Sequence, residues 1–158
     1  MAAVELNIQG MDQLKRKLDQ LSNPKKAKQI ARKAGRQAMN LVRDAARTNA
    51  KAIDDPETAE KIHKNIVTQG GKSRNANEVV LRVGVRGGAA MNKNSNREAL
   101  SGLSGGNTTY WRMIEFGNSH QPAVPFMRPA LSQNIDKATT KFVQVFDAEI
   151  TKALSGAP

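Results

Sequence analysis

The chain is 158 residues long, a length that fits one domain spanning residues 1–158. Its 25 Lys and Arg outnumber 14 Asp and Glu, and the formal charge of +11 favours a polyanionic partner or an acidic protein surface. The absence of Cys excludes disulfides, thiolate metal sites and cysteine nucleophiles, and fits assembly in a reducing cytoplasm. The sequence starts without a signal-peptide pattern and has no apolar run long enough to cross a bilayer, so we expect a soluble protein.

The N-terminal third predicts a short strand and then two helices. Residues 4–8 alternate apolar and polar side chains, as a strand does, and residues 11–21 carry apolar side chains at helical spacing. Asn23 and Pro24 suit the cap and first turn of a second helix, which we expect to run to about Ala52. The apolar face predicted for this helix is made of Ala27, Ile30, Ala34, Ala38, Leu41, Val42 and Ala45.

The second helix also has a basic face. At 100° per residue, six cations fall within an arc of about 100° on the side away from the apolar face: Lys25, Lys28, Arg32, Arg36, Arg43 and Arg47. Such a stripe is either a solvated helix face or a surface that contacts DNA phosphates or the acidic surface of another subunit. The candidate electrostatic surface, facing DNA or a neighbouring ring, comprises Lys28, Arg32, Arg36, Arg43 and Arg47.

The middle of the chain predicts a small antiparallel sheet. Residues 57–66 favour a short helix, after which residues 66–69 and 78–86 read as two strands around a turn at Gly70 and Gly71. Alternation is clear in the second strand, where every other residue is apolar. This pair is the only strand pairing that the pattern specifies.

The remaining segments predict a loop and a long helix. Residues 87–107 are rich in Gly, Asn and Ser and have no useful apolar period, which predicts a long mobile loop. The last helix should begin near Pro125 or Pro129 and end near Leu154. Its predicted inward face is made of Leu131, Ile135, Ala138, Phe142, Val145, Phe146 and Ile150. The order of elements predicts an α+β fold, with a small, mainly antiparallel sheet packed against long N-terminal and C-terminal helices.

Groups that could carry chemistry are few. His63 and His120 stand in unrelated contexts without metal-ligand spacing, so we interpret both as surface or loop imidazoles. Asp54, Asp55 and Glu57 precede a predicted helix, where acidic side chains stabilise the N-terminal dipole. The phosphate-binding glycine motifs are absent. We therefore predict no enzymatic activity, no metal and no cofactor.

Residues 110–131 carry the most specific pattern in the chain, including its only Trp and Tyr. Gly117 can adopt a positive φ and so end the preceding element abruptly. Pro122, Pro125 and Pro129 fix φ and remove three backbone donors, which makes the following stretch extended and stiff. Large apolar side chains on a stiff turn suit a packing anchor better than a mobile catalytic loop.

Glu115 lies among apolar residues, and a buried carboxylate needs a partner. One hypothesis is that Glu115 pairs with Arg128 and locks the proline-rich turn onto the element before it; the alternative is an exposed Glu on an amphipathic segment. The candidate packing anchor comprises Trp111, Glu115, Phe116, Gly117, Pro122, Pro125, Phe126, Arg128 and Pro129.

This segment resembles the tail-completion, or head–tail joining, proteins of long-tailed double-stranded DNA bacteriophages. Their typical pattern is an aromatic residue, Glu-Phe-Gly-Thr, a short spacer, Pro-Ala-x-Pro-Phe and an Arg-Pro-Ala-Leu-like helix start. Asn118 stands where the family more often has Thr, and because Asn tolerates left-handed geometry the turn should survive. The matching residues are Tyr110, Trp111, Glu115, Phe116, Gly117, Pro122, Ala123, Pro125, Phe126, Arg128, Pro129, Ala130 and Leu131.

The resemblance implies a structural virion protein at the neck, assembled in the host cytoplasm. It would close the head-proximal end of the tail as a ring of six copies around the DNA channel. The implied partners are further copies of the chain, the head connector or stopper, the tail terminator or tail tube proteins, and double-stranded DNA bound without sequence specificity, but no membrane. Residues 87–107 would then form an arm that orders against neighbouring subunits, with the anchors Met91, Leu100 and Leu103.

Two other functions stay open at this point. A tail terminator or stopper of the same neck would also be a small ring protein, and only the Glu-Phe-Gly and Pro-Ala-x-Pro-Phe pair favours tail completion over it. A stand-alone, basic, non-specific nucleic-acid-binding domain belongs to a different class. Salt-dependent binding of free DNA would support that second alternative.

Overall fold

A computed structural model describes residues 10–156 of the chain. The strand expected at residues 4–8 lies outside these residues. Within the described range, the elements follow in the order α1 (Met11–Gln20), α2 (Pro24–Ile53), α3 (Ile62–Asn65), β1 (Ile66–Gly70), β2 (Leu81–Val85), α4 (Arg97–Ser101), α5 (Trp111–Phe116), α6 (Met127–Ser132) and α7 (Ile135–Leu154).

Helix α2 is the central element. It begins as predicted, because the Asn23 side chain accepts a hydrogen bond from the Lys26 backbone N–H at 3.2 Å and Pro24 occupies the first turn. Small residues recur every fourth position along its buried face, and Ala34, Ala46 and Ala50 have no exposed surface. This narrow face lets α7 lie close along most of the helix.

The core has two parts, both built on α2. One is formed with α1 and α7 by Leu14, Ile30, Ala34, Phe146 and Ile150. The other is formed with α3, β1, α6 and α7 by Ala38, Val42, Ala46, Ala50, Ile62, Ile66, Phe126, Ala130 and Ala138. Phe142 packs against both parts and stacks on Phe146 with ring centroids 5.4 Å apart. The aromatic pair on α7 thus joins the two halves of the core.

Strands β1 and β2 form the predicted antiparallel hairpin. The register runs from Ile66 opposite Val85 to Gly70 opposite Leu81. The Arg86 N–H continues the ladder by donating to the Asn65 carbonyl at 2.9 Å. The described residues therefore confirm the α+β class, with a small antiparallel sheet and long helices near both ends of the chain.

Two predicted helices were wrong in extent. Instead of residues 57–66, only Ile62–Asn65 are helical, because Asp54 accepts hydrogen bonds from the backbone N–H groups of Ile62 and His63 and so starts the turn there. The C-terminal helix is interrupted between α6 and α7, where the Asn134 side chain donates to the Ala130 carbonyl at 2.8 Å. A side chain that bonds the preceding turn competes with the helical ladder.

Two residues assigned to inward faces are exposed. Leu41 is 38% exposed because the buried positions of α2 advance by about 40° every four residues, which moves the buried face away from it. Leu131 is 48% exposed on α6, next to the fully buried Ala130. The short α6 therefore inserts a small residue into the core and leaves its Leu at the surface.

Residues 87–107 differ from the irregular loop that their composition predicts. They contain α4, and Leu100 is buried. The side chains of Leu100 and Leu103 cover Gly87, where a Cβ would lie 2.9 Å from Leu100 Cδ2. Met91 is exposed and its sulfur accepts from the Asn107 side chain at 3.3 Å. All three expected arm anchors thus contact their own segment, and the inter-subunit role stays a prediction.

The end of this segment is fastened to the body by Asn65, which is fully buried. The Asn65 side chain accepts from the Gly105 N–H at 2.9 Å and donates to the Gly106 carbonyl at 2.9 Å and the Thr108 hydroxyl at 2.7 Å. The Lys61 N–H donates to the Gly105 carbonyl at 2.8 Å. The Asn65 amide and the Lys61 N–H therefore connect the α3 region to the segment that leads into α5.

Gly105→Ala should lower the free energy of unfolding by about 2 kcal/mol. A Cβ at this position would lie 2.1 Å from the Lys61 carbonyl oxygen and 2.8 Å from Asn65, so backbone would have to move. The matched control is Gly102→Ala, where the nearest atom, the Glu98 carbonyl oxygen, is 3.4 Å away. Urea denaturation of both variants measures the difference, and equal stability of the two would contradict the close contact.

Candidate functional site

The Glu115 carboxylate is the most highly coordinated side chain of the sequence-predicted anchor. It is 1% exposed, and Oε2 accepts hydrogen bonds from the backbone N–H groups of Phe126 at 2.7 Å and Met127 at 2.9 Å. Oε1 accepts from the Arg128 backbone N–H at 2.9 Å and from Arg128 Nε at 3.1 Å, while Arg128 Nη2 donates to the Glu115 carbonyl at 2.6 Å. The predicted pair is confirmed. We call Glu115 and its partners Phe126, Met127 and Arg128 the Glu115 clamp.

The clamp also sets the protonation of Glu115. Burial by itself raises the pKa of a carboxylate, since it disfavours the charged form. The hydrogen bonds from the backbone of Met127, Phe126 and Arg128, and from the Arg128 side chain, outweigh burial and hold the pKa of Glu115 below its ordinary value of 4.5. The carboxylate is therefore charged at neutral pH, although it lies inside the protein.

Gly117 lets the chain turn back after α5. Its φ is 73°, and a Cβ there would lie 2.7 Å from the Ala123 backbone nitrogen, so both conformation and space require glycine. Asn118 and Gln121 then form an isolated bridge, and the Val124 N–H donates to the Ile114 carbonyl at 2.8 Å. The proline-rich stretch that follows Gly117 consequently runs back along α5 to reach the Glu115 clamp.

Trp111 and Phe126 form the apolar side of the anchor. Phe126 is 1% exposed, and the two rings meet edge to face with centroids 6.4 Å apart. The Trp111 Nε1–H donates to the Gly88 carbonyl at 2.9 Å, which connects α5 to the start of the 87–107 segment. Pro129 in α6 is half-buried, next to Ala130 in the core.

Phe116, Pro122 and Pro125 do not belong to the buried part of the anchor, contrary to the sequence prediction. All three are exposed, Phe116 to 55%. Trp111 and Glu115 stand four residues apart on the inner side of α5, so the adjacent Phe116 points about 100° away from Glu115. The Arg128 guanidinium lies 4.9 Å from the centre of the Phe116 ring, a cation–π contact at the surface.

The basic face of α2 divides into two halves with different surroundings. Arg47 Nε donates to the Ile66 carbonyl at 2.9 Å, and Arg43 is held by the side chains of Asn40 and Asp44 at 3.1 and 2.8 Å. The buried face of α2 turns toward the basic side along the helix, which brings β1 beside Arg47. Arg43 and Arg47 therefore have partners within the subunit and are poorly placed for an outside polyanion, contrary to the prediction that they share one surface with the others.

The N-terminal half of the basic face borders an open cleft of about 680 Å³ between α2 and residues 70–81 of the hairpin. We call this the basic cleft. Its cationic lining residues are Lys28, Arg32, Arg36 and Lys72. Lys28 Nζ donates to the Ala76 carbonyl at 2.8 Å, which holds that side chain at the cleft wall. The one carboxylate in the lining belongs to Glu78 and accepts from the Ser73 hydroxyl at 2.8 Å.

Sequence reasoning missed Lys72, which comes from the turn of the hairpin. The available signal was its position directly after the Gly70-Gly71 pair, since the antiparallel pairing folds this turn back over α2. At Gly71 a Cβ would lie 2.6 Å from the Arg82 guanidinium. The absence of a side chain at Gly71 therefore leaves room for this guanidinium, which is a further cation beside the cleft. The cleft suits an extended anion such as a phosphodiester backbone.

The histidines and the acidic residues of the described range do not form a competing metal site. His63 Nδ1 lies 2.5 Å from the Asp54 carboxylate, which also caps α3, and His120 is exposed. Across residues 10–156, no group of three or more His, Asp or Glu side chains is arranged to hold a metal ion. None of the described helices is both long and apolar enough to cross a membrane.

Residues 12–117 match a protein family described as "Bacteriophage HK97-gp10, putative tail-component". The chain belongs to this HK97-gp10-like family. The matched range contains the basic cleft, the 87–107 segment and α5 with Glu115, and it ends at Gly117. The backbone half of the Glu115 clamp lies beyond it. No curated protein and no solved structure shows significant similarity to the chain.

Glu115→Gln should destabilise this tail component by about 3 kcal/mol, because the amide group places donors against backbone N–H groups that need an acceptor. The melting temperature should fall by roughly 6–12 °C in thermal unfolding. Glu57→Gln is the control, since Glu57 is exposed. Equal melting temperatures for the two variants would show that the clamp contributes nothing to stability.

The stabilisation by Glu115 should disappear in acid. Because the folded-state pKa is below the ordinary value of 4.5, the contribution is complete above about pH 4.5 and is lost as the pH falls through the folded-state value. Urea denaturation of the wild type and of Glu115→Gln, measured between neutral pH and strongly acidic pH, should give stabilities that converge only below pH 4.5. A constant difference across that range would contradict the assigned charge state.

Proposed function

We propose that this phage tail component completes the head-proximal end of the tail and joins it to the head. In this role it is a subunit of a ring, of six copies, at the neck of the virion. Double-stranded DNA passes through the ring, and the head connector or stopper and the tail terminator or tail tube proteins adjoin it. The activity is complementarity between surfaces, with no chemical turnover.

The observation that carries the proposal is the Glu115 clamp. The residues that resemble tail-completion proteins are separated along the chain, yet the Glu-Phe-Gly part and the Pro-Phe-Met-Arg part meet at one buried carboxylate. A motif explained by local turn chemistry alone would not need that long-range contact. The residues that carry the resemblance therefore form one structural unit, which supports a role shared with the tail-completion proteins.

Apolar side chains left at the surface of the same unit suit an assembly subunit. Met113 is 56% exposed, Phe116 55% and Val124 44%. Met113 and Phe116 are three residues apart on one face of α5, and Val124 is tied to that helix through Ile114. Exposed apolar residues that cluster on a rigid element are typical of protein–protein contact surfaces. We assign this face to contacts between subunits of the ring.

The basic cleft is the electrostatic surface of the proposal. Three of the five cations predicted from sequence, Lys28, Arg32 and Arg36, border it together with Lys72. In a ring around DNA, such a surface would contact phosphates without reading bases, because no side chain needs to enter a groove. Arg47 instead donates to the Ile66 carbonyl of β1, and Arg43 is paired with side chains of α2 itself.

Two alternatives make different predictions. A tail terminator or stopper would occupy another level of the same neck, so the position of a tagged copy in electron micrographs of virions separates these roles. The basic cleft favours a stand-alone nucleic-acid-binding domain as the second candidate. In that case free duplex DNA should bind with a log–log salt slope of about −3.6, for four cations on phosphates.

Arg32→Glu combined with Arg36→Glu should abolish joining of heads to tails, because two cations of the basic cleft become anions. Both residues are exposed, so the variant should fold and keep the wild-type melting temperature. In cells infected with a phage that carries the substitutions, electron microscopy should find separate heads and tails. Arg16→Glu with Lys137→Glu, two exposed cations on α1 and α7, is the control with equal charge change.

A wild-type yield of joined particles from the Arg32 and Arg36 variant would remove the cleft from the joining mechanism. A tagged chain that is absent from the particle would overturn the neck assignment itself. If the absent chain also binds free DNA in a salt-dependent manner, the stand-alone nucleic-acid-binding function takes its place.

A further inference from the structure

The α2 wall of the basic cleft carries a row of three cations. Lys28, Arg32 and Arg36 follow one another at intervals of four residues, so the row is about 12 Å long. Arg32 and Arg36 are exposed and form no salt bridge within residues 10–156. By contrast, Lys33 of the same helix pairs with Glu149. The row therefore keeps its charge available for an anionic ligand that runs along the helix.

The hairpin side of the cleft supplies two further cations. Lys72 lines the cleft, and the Arg82 guanidinium crosses Gly71, where a Cβ would lie 2.6 Å from Arg82 Nη2. Gly71 itself lines the cleft, so the guanidinium that passes over it lies at the cleft edge. Neither Lys72 nor Arg82 forms a salt bridge among the described residues. An anion between α2 and the hairpin thus has cations on both sides.

The spacing of the two walls is fixed by contacts within the subunit. Lys28 Nζ donates to the Ala76 carbonyl of the hairpin turn at 2.8 Å. Leu81 packs so closely on α2 that a Cβ at Gly35 would lie 2.4 Å from its Cδ1. A cleft whose walls are already in place does not have to be ordered by its ligand, and it admits ligands by their width.

The width of the cleft distinguishes between forms of nucleic acid. A volume of about 680 Å³ along the cationic row corresponds to a channel roughly 8 Å across. A B-form duplex is wider, since its two grooves alone are about 8.5 and 7.5 Å deep. A duplex can therefore meet only the rim of the cleft, whereas a single sugar–phosphate strand can lie between the walls.

We propose that the basic cleft binds one unpaired strand of nucleic acid, with its phosphates between the cations of α2 and those of the hairpin. This rests on the proposed function, in which the cleft contacts DNA, and it adds which form of DNA the cleft holds. Among the described residues that line the cleft, none is aromatic, so the bases have no side chain to stack on and face outward. Binding is therefore independent of sequence.

Equilibrium binding of the purified full-length protein to three probes tests the preference. The probes are an oligothymidylate strand of about 12 nucleotides, the duplex of that strand with its oligoadenylate complement, and a polyglutamate peptide of equal charge. At about 100 mM salt the single strand should bind about tenfold more tightly than the duplex, with a log–log salt slope of about −3.5 for five phosphates. A duplex that binds as tightly as the single strand would overturn the proposal. A peptide that binds more tightly would replace it with an acidic protein segment as the ligand.

Two variants test the hairpin wall. Arg82→Gln removes its guanidinium, and Gly71→Ala displaces the same group through the added Cβ. Each should weaken binding of the single strand about fivefold at about 100 mM salt and make the slope shallower by about 0.7. Because both act on one guanidinium, the double variant should bind like Arg82→Gln alone. Arg86→Gln is the matched control, since Arg86 is exposed and does not line the cleft. Equal binding by the Arg82 and Arg86 variants would remove the hairpin wall from the site.

The strand preference and the neck role can fail separately, because the cleft lies within one subunit and the binding assay needs no ring. If reversal of Arg32 and Arg36 abolishes head–tail joining but the protein shows no preference for the single strand, only the strand preference is overturned. If the preference is found and the same reversal leaves joining intact, the binding site stands and its part in joining is overturned.

Discussion

The structure depends on one buried charge, the carboxylate of Glu115. An ion inside a protein is destabilising unless its hydrogen-bonding capacity is filled, and here three successive backbone N–H groups and one guanidinium fill it. Those three N–H groups belong to Phe126, Met127 and Arg128, at the start of α6, where no intrahelical acceptor is available. Glu115 therefore acts as the cap of α6 from a distance, and its charge also lies favourably at that helix start.

The rotation of the buried face along α2 explains why the basic stripe is not one surface. On a helical wheel the six cations share an arc, but the residues buried by α7 and then by β1 move around the axis as the helix proceeds. Near Lys28 and Arg32 the basic side is open and borders the hairpin turn. At Arg47 the same side of the helix lies against the hairpin, and the guanidinium donates a hydrogen bond to the Ile66 carbonyl. Periodicity locates charges on a helix, whereas packing partners decide which of them stay available.

Sequence patterns predicted features that local chemistry controls. The Asn23–Pro24 start of α2 and the 66–86 hairpin each follow from residue types at fixed spacing, whereas the Glu115–Arg128 pair was one of two alternatives that the sequence left open. The patterns failed where a distant group decides the outcome. Asp54 shortened α3 by capping it from eight residues away, and Asn65 fastened a Gly-rich segment whose composition predicts a mobile loop. Lys72 joined the basic cleft only through the fold of the hairpin.

In the proposed function, the clamp matters through the residues that it leaves at the surface as well as through those that it buries. By fixing α5 against the proline-rich stretch, it holds Phe116 and Val124 at the surface on a backbone that is already ordered. Residues that are immobile before association lose little conformational freedom when a partner covers them, which makes the same apolar contact more favourable. Arg128 contributes twice, since it completes the coordination of Glu115 and lies over the exposed Phe116 ring. A buried carboxylate thus holds the proposed contact surface in place.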